Sequence, residues 1–292
     1  MKLTIEGVSK VYKGKVSALR DFSLEVGPGI LGLLGPNGAG KSTLMRILAT
    51  ITKATGGKVT WNGADIAHSP NAVRAVLGYL PQDFGVYPNL NAVEFLEYLA
   101  AAKGLDRGSA RQRIEELLQV VNLVEVRKRP LGGYSGGMKQ RIGIAQALLC
   151  DPELLIVDEP TAGLDPEERV RFRNLLSELA GDRIVILSTH IVSDVEASAT
   201  SIALISRGRL VTHDSPEALL RSVEGKVWEW VVSSADLPTV RQRHLTSSAI
   251  HRADGVHVRV VSGTSPGRGA VAAIPTLEDA YLDWISRSRE TA

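Results

Sequence analysis

One glycine-rich run in this sequence has the residue types that bind phosphate. Residues 35–43 fit the pattern Gly-x-x-x-x-Gly-Lys-[Ser/Thr], and they stand between an apolar run at 30–34, typical of a buried strand, and helix-forming residues at 41–49. In such a loop the backbone N–H groups surround a phosphate, Lys41 reaches the β- and γ-phosphates, and the Ser42 hydroxyl can bind Mg²⁺. The predicted phosphate loop consists of Gly35, Pro36, Asn37, Gly38, Ala39, Gly40, Lys41, Ser42 and Thr43.

A pair of carboxylates is the second candidate for chemistry. Four apolar residues at 154–157 precede Asp158 and Glu159, so both acids follow a predicted buried strand. In open α/β sheets, ligands bind at the carboxyl edge of the strands. We therefore expect Asp158 to hold Mg²⁺ through water and Glu159 to act as general base toward an attacking water. Acidic residues after a strand are often only a helix cap, but their pairing with a phosphate loop in one sheet favours catalysis.

A Ser-Gly-Gly turn lies between these two motifs. Residues 134–138 read Tyr-Ser-Gly-Gly-Met and open a predicted helix that continues through residue 149. A hydroxyl and two exposed N–H groups at a helix N-terminus form a second anion site. The segment resembles the signature Leu-Ser-Gly-Gly-Gln of the ATP-binding cassette (ABC) transporter family, from which Tyr134 and Met138 depart. Together with the phosphate loop and the carboxylates, it makes the chain similar to the nucleotide-binding subunit of an ABC transporter.

The resemblance implies roles for further residues. Gln82 resembles the glutamine that contacts Mg²⁺ and the attacking water, His190 the switch histidine on the γ-phosphate, and Tyr12 the aromatic residue that stacks on adenine. Residues 162–165, beginning at Ala162, resemble the loop that crosses to the other subunit. Without the family, each would be an ordinary strand-end, surface or turn residue. The implied catalytic residues are Glu159, His190, Gln82 and Lys41, the implied Mg²⁺ ligands are Ser42, Gln82 and Asp158, and the further implied ATP contacts are Tyr12, Ser135, Gly136, Gly137 and Asp165.

The order of the predicted elements indicates the fold. Strand-type runs alternate with helical patterns, which predicts a mainly parallel sheet with flanking helices. The predicted strands are 2–8, 23–26, 30–34, 58–61, 76–80, 154–157, 184–187 and 202–205, and the helices are 41–49, 92–103, 109–121, 135–149 and 167–179. The resemblance makes this α/β arrangement the core of a P-loop NTPase, with antiparallel N-terminal strands and a helical insert at about 84–150.

The composition changes after residue 221. Three of the four tryptophans lie beyond it, with strand-like runs at 227–232 and 256–261. Thr276 and Asp279 resemble a capping box at the start of a last helix. We predict an ABC ATPase domain at 1–222 and a small C-terminal α+β accessory domain at 223–292.

Composition excludes several classes of protein. Of 292 residues, 34 are Lys or Arg and 32 are Asp or Glu, so the net charge of +2 creates no overall field that would attract nucleic acid. A single cysteine, Cys150, rules out an intramolecular disulfide framework and a cysteine-rich zinc site. The sequence has neither a run of about 20 apolar residues nor a signal-peptide pattern at 1–9. We expect a peripheral protein at the cytoplasmic face of the membrane.

The resemblance favours the ATP-hydrolysing motor of an exporter, with ATP and Mg²⁺ as cofactors. The residues after 221 resemble the extension on ATPases of ABC-2-type and antibiotic exporters. The implied partners are a separate transmembrane permease and a second copy of the cassette, which pairs head to tail when ATP binds; no nucleic-acid partner is expected. The permease should dock near Gln82, where loop 83–88 offers the aromatic residues Phe84 and Tyr87.

Two alternatives stay open. One is a soluble ABC ATPase acting on a nucleic-acid or ribosomal partner, and the other is the motor of an importer. A non-catalytic nucleotide sensor is disfavoured because Glu159 and His190 are both present. The transported substrate cannot be read from a cassette, since that specificity resides in the permease.

Overall fold

A computed structural model of the protein describes residues 1–161 and 163–290. Residues 289 and 290 are described by their backbone alone. Ala162, which belongs to the predicted crossing loop, lies outside the described residues. The strands are β1 (Leu3–Tyr12), β2 (Val16–Val26), β3 (Gly29–Leu34), β4 (Gly56–Trp61), β5 (Ala64–Asp65), β6 (Leu77–Leu80), β7 (Leu154–Asp158), β8 (Ile184–Thr189), β9 (Ser201–Ser206), β10 (Arg209–Asp214), β11 (Val227–Val232), β12 (Leu245–Arg252), β13 (Gly255–Val261) and β14 (Val271–Ala272). The α-helices are α1 (Lys41–Leu48), α2 (Pro70–Arg74), α3 (Ala92–Ala102), α4 (Arg107–Val120), α5 (Gly136–Leu148), α6 (Pro166–Leu179), α7 (Val192–Glu196), α8 (Pro216–Ser222), α9 (Leu237–Arg243) and α10 (Leu277–Glu290).

The central sheet has six strands in the order β10-β9-β3-β8-β7-β6. Its inner strands run parallel, and β10 pairs antiparallel with β9 at one edge. Every residue of β3, β7 and β8 is buried, as expected for strands covered by helices on both faces. The predicted parallel sheet with flanking helices is therefore confirmed. The edge strand β10 was not predicted, because it has no buried residue and neither a long apolar run nor a two-residue alternation.

A second, antiparallel sheet packs over α1. It has the order β2-β1-β4-β5, which confirms the predicted antiparallel N-terminal strands. Phe22 of β2 and Met45 of α1 are fully buried in the core between the two sheets. Strands β1 and β2 extend beyond their predicted ends because register irregularities interrupt the two-residue alternation on which the prediction relied.

Helices α3, α4 and α5 cover the other face of the central sheet, so the segment predicted as a helical insert is mainly helical. Asn91 and Glu94 form a reciprocal capping box at the start of α3, and Asp106 caps α4. None of the helices in the described part of the chain is both long and apolar enough to cross a bilayer.

The C-terminal residues form a third sheet, of order β12-β13-β11-β14. One face packs with α9 around a small core that contains Val232, Val240 and Val258. Helix α10 also packs on the cassette, since Leu277 and Ala280 belong to the same buried cluster as the central sheet. A separate domain with its boundary at residues 222 and 223 thus stays a prediction, because one hydrophobic core crosses that boundary.

Asp279 links α10 to the third sheet through hydrogen bonds. Its carboxylate is fully buried, and it accepts hydrogen bonds from Arg259 Nε (3.0 Å), Ser247 Oγ (2.6 Å) and the N–H of Thr276 (2.9 Å). The Asp279 N–H in turn donates to Thr276 Oγ1 (3.4 Å), so the predicted capping box of Thr276 and Asp279 is confirmed. Burial raises the pKa of Asp279, but the hydrogen bonds from Arg259, Ser247 and Thr276 outweigh it and hold this pKa below its usual value.

We expect Asp279→Asn to destabilise the protein by about 1–2 kcal/mol at pH 7, because the partly buried Arg259 loses its charged acceptor. The pKa of Asp279 is lower in the folded than in the unfolded chain, so this contribution is present above about pH 4 and is lost as the pH falls through the folded pKa. Urea unfolding at pH 7 and in acid measures both effects. The exposed neighbour Glu278 provides the control, Glu278→Gln, and equal midpoints for the two variants at pH 7 would contradict the assignment.

Candidate active site

The predicted phosphate loop connects β3 to α1 at the carboxyl edge of the central sheet. Gly40 is the N-cap of α1 and has a φ of +110°, and a Cβ at this position would lie 2.5 Å from the Ala18 carbonyl oxygen. Both the backbone conformation and the space therefore require glycine. Because Gly40 has no side chain, the backbone at the start of α1 lies close to Ala18 of β2, and the first turn of α1 presents its free N–H groups there.

Lys41 is the first residue of α1 and is only 7% exposed. Its Nζ donates to the carbonyl oxygens of Gly35 (2.6 Å) and Pro36 (3.3 Å), so the ammonium is held inside the curve of the loop. Burial lowers the pKa of Lys41, and the nearby carboxylates of Glu159 and Asp158 oppose this shift without cancelling it. The arrangement places a desolvated cation where the loop binds anions.

The predicted pair of carboxylates stands where β7 ends. Glu159 is 7% exposed and has a φ of +52°, an uncommon backbone conformation for a residue other than glycine. Its N–H donates to the Ser188 carbonyl of β8 (2.9 Å), and its Oε2 lies 2.9 Å from His190 Nδ1. The strained turn thus directs Glu159 toward the histidine that follows the neighbouring strand.

Asp158 is suited to a cation. It is 2% exposed, and within the described residues its Oδ1 has no hydrogen-bond partner. Nowhere in 1–161 and 163–290 do three or more His, Cys, Asp or Glu residues gather as a metal cluster. One buried carboxylate oxygen in a cavity that Ser42 also lines fits Mg²⁺, which takes one or two protein carboxylates and completes its shell with phosphate oxygens and water.

A cavity of about 370 Å³ brings most of the predicted residues together. The phosphate loop forms one side, and Asp158, Glu159 and His190 form the other. Gln82, which follows β6, also lines the cavity. Ala18 of β2 is a lining residue that sequence reasoning missed, because a small apolar residue within a strand carries no signal of its own.

Other predicted residues lie outside this cavity. Tyr12 stands next to the phosphate loop, 39% exposed, with its hydroxyl 3.4 Å from Thr43 Oγ1 and its ring 5.1 Å from Lys10 Nζ. Asp165 caps α6 by accepting from the Glu168 N–H (2.9 Å).

The Ser-Gly-Gly turn is also absent from the cavity lining. Ser135 caps α5 by accepting from the Met138 N–H (3.2 Å), and both Ser135 and Gly136 are exposed. A Cβ on Gly137 would lie 3.2 Å from the Gly163 carbonyl oxygen, so the turn packs against the start of the crossing loop. The second predicted anion site therefore faces solvent in a single chain.

The cavity combines a phosphate loop with a carboxylate and a histidine paired at the carboxyl edge of a parallel sheet, and a helical insert covers that sheet. Together these features define an ATPase of the cassette type. The family described as "ABC transporter" matches residues 19–162. Among curated proteins, the chain is 38% identical over 238 residues to the daunorubicin resistance ATP-binding protein DrrA2 of Streptomyces coeruleorubidus, covering 80% of this chain and 74% of that protein. The chain therefore belongs to the ATP-binding proteins of ABC transporters, and it binds and hydrolyses ATP.

Other relatives agree with this assignment. The chain is 33% identical to the ABC transporter ATP-binding protein NatA of Bacillus subtilis, over 80% of this chain and 97% of that protein. It is 37% identical to the doxorubicin resistance ATP-binding protein DrrA of Mycobacterium tuberculosis, over 75% of this chain and 67% of that protein.

Solved structures share the fold. An ATP-binding subunit of an ABC transporter superposes with a TM-score of 0.70 at 28% identity, covering 76% of this chain and 93% of that one. The dimeric post-hydrolysis state of the cassette MJ0796, bound to ADP and Pi, superposes with a TM-score of 0.68 at 25% identity, covering 73% of this chain and 98% of that one.

Proposed function

We propose that this chain is the motor of an exporter, working as a head-to-tail homodimer at the cytoplasmic face of the membrane on a separate permease. The observation that carries the proposal is that one chain holds the phosphate loop and the carboxylates in one cavity, while its Ser-Gly-Gly turn is exposed and does not line that cavity. A second copy would supply the missing turn. The direction of transport rests on relatives named for resistance to daunorubicin and doxorubicin.

Within the cavity, we assign Glu159 as the general base that accepts a proton from the attacking water. His190, 2.9 Å from Glu159, would hold this carboxylate in place and donate toward the γ-phosphate. Lys41 and the backbone N–H groups of residues 35–43 would bind the phosphates, and Gln82 would orient the water. Tyr12, exposed beside Thr43, would stack on adenine.

Asp158, Ser42 and Gln82 would hold Mg²⁺ beside the phosphates. The bound cation neutralises charge that develops on the phosphate oxygens. The protein's own contribution is to hold Asp158 in the cavity wall, where its Oδ1 meets no competing hydrogen-bond donor from the described residues.

The proposed permease surface lies beside Gln82. Phe84, predicted as exposed, instead packs inward with its ring centroid 6.1 Å from that of Phe95, because the absent side chain of Gly143 leaves room for it. Tyr87 remains 53% exposed and stacks edge-on against Tyr98, 52% exposed, at 5.6 Å between centroids. This pair of tyrosines offers the apolar area that a short permease helix would cover.

The head-to-tail arrangement predicts a disulfide that forms between chains. The φ of +77° at Gly38 would strain a cysteine, so we place one thiol at Asn37 and the other at Gly136, where a Cβ meets nothing within 4 Å. With Cys150→Ser and Glu159→Gln, the protein carrying Asn37→Cys and Gly136→Cys should give a covalent dimer on a non-reducing gel after mild oxidation with ATP. A disulfide needs Cα atoms about 4.4–6.8 Å apart, so the assay measures proximity.

The two single-cysteine proteins are the controls, and each should give much less dimer, as should omission of ATP. A monomer with an internal crosslink would show that both motifs act within one chain. That result would overturn the head-to-tail arrangement.

A further inference from the structure

A second cavity lies between the cassette and the C-terminal helix. Its volume is about 720 Å³, and residues of β2, the β9–β10 turn, β10 and α10 line it. It shares no lining residue with the candidate active site. It is surrounded by four arginines: Arg20, Arg207, Arg209 and Arg287. Trp284 forms an apolar wall, and among the described residues no carboxylate lines the cavity.

The positive charge of this arginine cavity is mostly unpaired. Within the described residues, the side chains of Arg207 and Arg209 have neither a hydrogen-bond nor an ion-pair partner. Arg20 Nε donates only to the Ser17 hydroxyl (3.3 Å). Arg287 forms an ion pair with Asp283 (2.8 Å) and lies over the Trp284 ring, 5.9 Å from its centroid. Among the described residues, Arg20, Arg207 and Arg209 therefore bring three guanidinium charges to the cavity without an ion-pair partner.

Like charges gathered around a shared cavity repel one another, and a bound anion turns this repulsion into attraction. Guanidinium groups present planar pairs of N–H donors that match the oxygens of a phosphate better than a point charge would. We propose that the arginine cavity binds a phosphate-bearing anion, held between the β9–β10 turn and α10. A free polyphosphate and the headgroup of an anionic lipid carry this same chemistry.

The cavity adjoins the phosphate loop through the β9–β10 turn. The Gly208 N–H donates to the Ala39 carbonyl (2.8 Å), and the Arg20 N–H donates to the Gly208 carbonyl (2.8 Å). One short turn thus carries Arg207 into the arginine cavity and touches the ATP-binding loop. An experiment on the cavity must therefore separate the two phosphate sites.

Calorimetric titration with inorganic tripolyphosphate makes this separation in a Lys41→Ala background, which removes the cation of the phosphate loop. We expect tripolyphosphate still to bind, and the added pair Arg207→Gln and Arg209→Gln to weaken its binding by about tenfold or more. The matched control is the pair Arg241→Gln and Arg252→Gln, which removes the same charge from exposed positions outside the cavity and should change the affinity less than about twofold. Equal effects of the two pairs, or no binding, would overturn the free-anion form of the proposal.

Sedimentation with vesicles tests the lipid source. Phosphatidylcholine vesicles that contain about one-third phosphatidylglycerol should retain the protein through Arg207 and Arg209, and pure phosphatidylcholine should not, if the headgroup is the ligand. The proposal as a whole fails if neither probe distinguishes the cavity pair from the control pair. The variant with Arg207→Gln and Arg209→Gln but with Lys41 intact serves as a folding control, and it should bind ATP with unchanged affinity. If its ATP affinity falls, the single variant Arg209→Gln replaces the pair in both assays, because Arg209 lies on the edge strand rather than in the turn.

Discussion

Steady-state ATP hydrolysis by the Glu159→Gln variant is expected to fall by about 10²- to 10⁴-fold while ATP binding is retained. Glutamine has the shape of glutamate and can keep a contact with His190, which lies 2.9 Å from Glu159 Oε2. It lacks an oxygen basic enough to accept the proton of the attacking water. Phosphate release at saturating ATP measures turnover, and titration with labelled ATP measures binding.

The control for this prediction is Glu167→Gln, an exposed carboxylate at the start of α6, which should hydrolyse ATP at the normal rate. A loss confined to turnover identifies Glu159 as the base. Normal steady-state turnover in Glu159→Gln would move the general base to another group.

The second large effect concerns affinity rather than turnover. Lys41→Ala should weaken ATP binding by about 10- to 100-fold, because charge-assisted hydrogen bonds to phosphate are each worth about 1.5–3 kcal/mol. The Lys41 ammonium is buried among the loop carbonyls and has few water molecules to replace its phosphate partner. Equilibrium titration with ATP measures the dissociation constant.

Lys103→Ala, at an exposed position after α3, controls for the loss of one positive charge and should leave affinity unchanged. The pH dependence provides an independent check. Burial lowers the pKa of Lys41, so this side chain loses its proton at a lower pH than an exposed lysine does. Because the charged form binds phosphate, the ATP affinity of the unaltered protein should begin to fall at that lower pH. An affinity for ATP that is the same in both variants would rule out the assigned role of Lys41.

The parallel sheet was predictable because its strands are short apolar runs. β7 and β8 are buried on both faces, which constrains residues 154–157 and 184–187 toward the apolar side chains that made these strands recognisable. β10 and β12 were not predicted, since each lies at the edge of its sheet with partly exposed residues, and only pairing with β9 or β13 makes them strands. The inward turn of Phe84 likewise depends on Gly143, which lies in a different helix far along the chain.

The sequence by itself determined the features that one continuous segment contains. The phosphate loop needs only a strand, glycines that tolerate positive φ and a helix start, all within residues 29–48, and the carboxylates need only the end of β7. The tertiary structure alone decided which distant groups meet. Sheet order brings His190 to Glu159, and the turn at Ser135 is left facing solvent. The arginine cavity is lined by residues of β2, the β9–β10 turn and α10, and no local sequence pattern connects these segments. Its arginines are far apart in the chain and become neighbours only when the helix packs on the sheet.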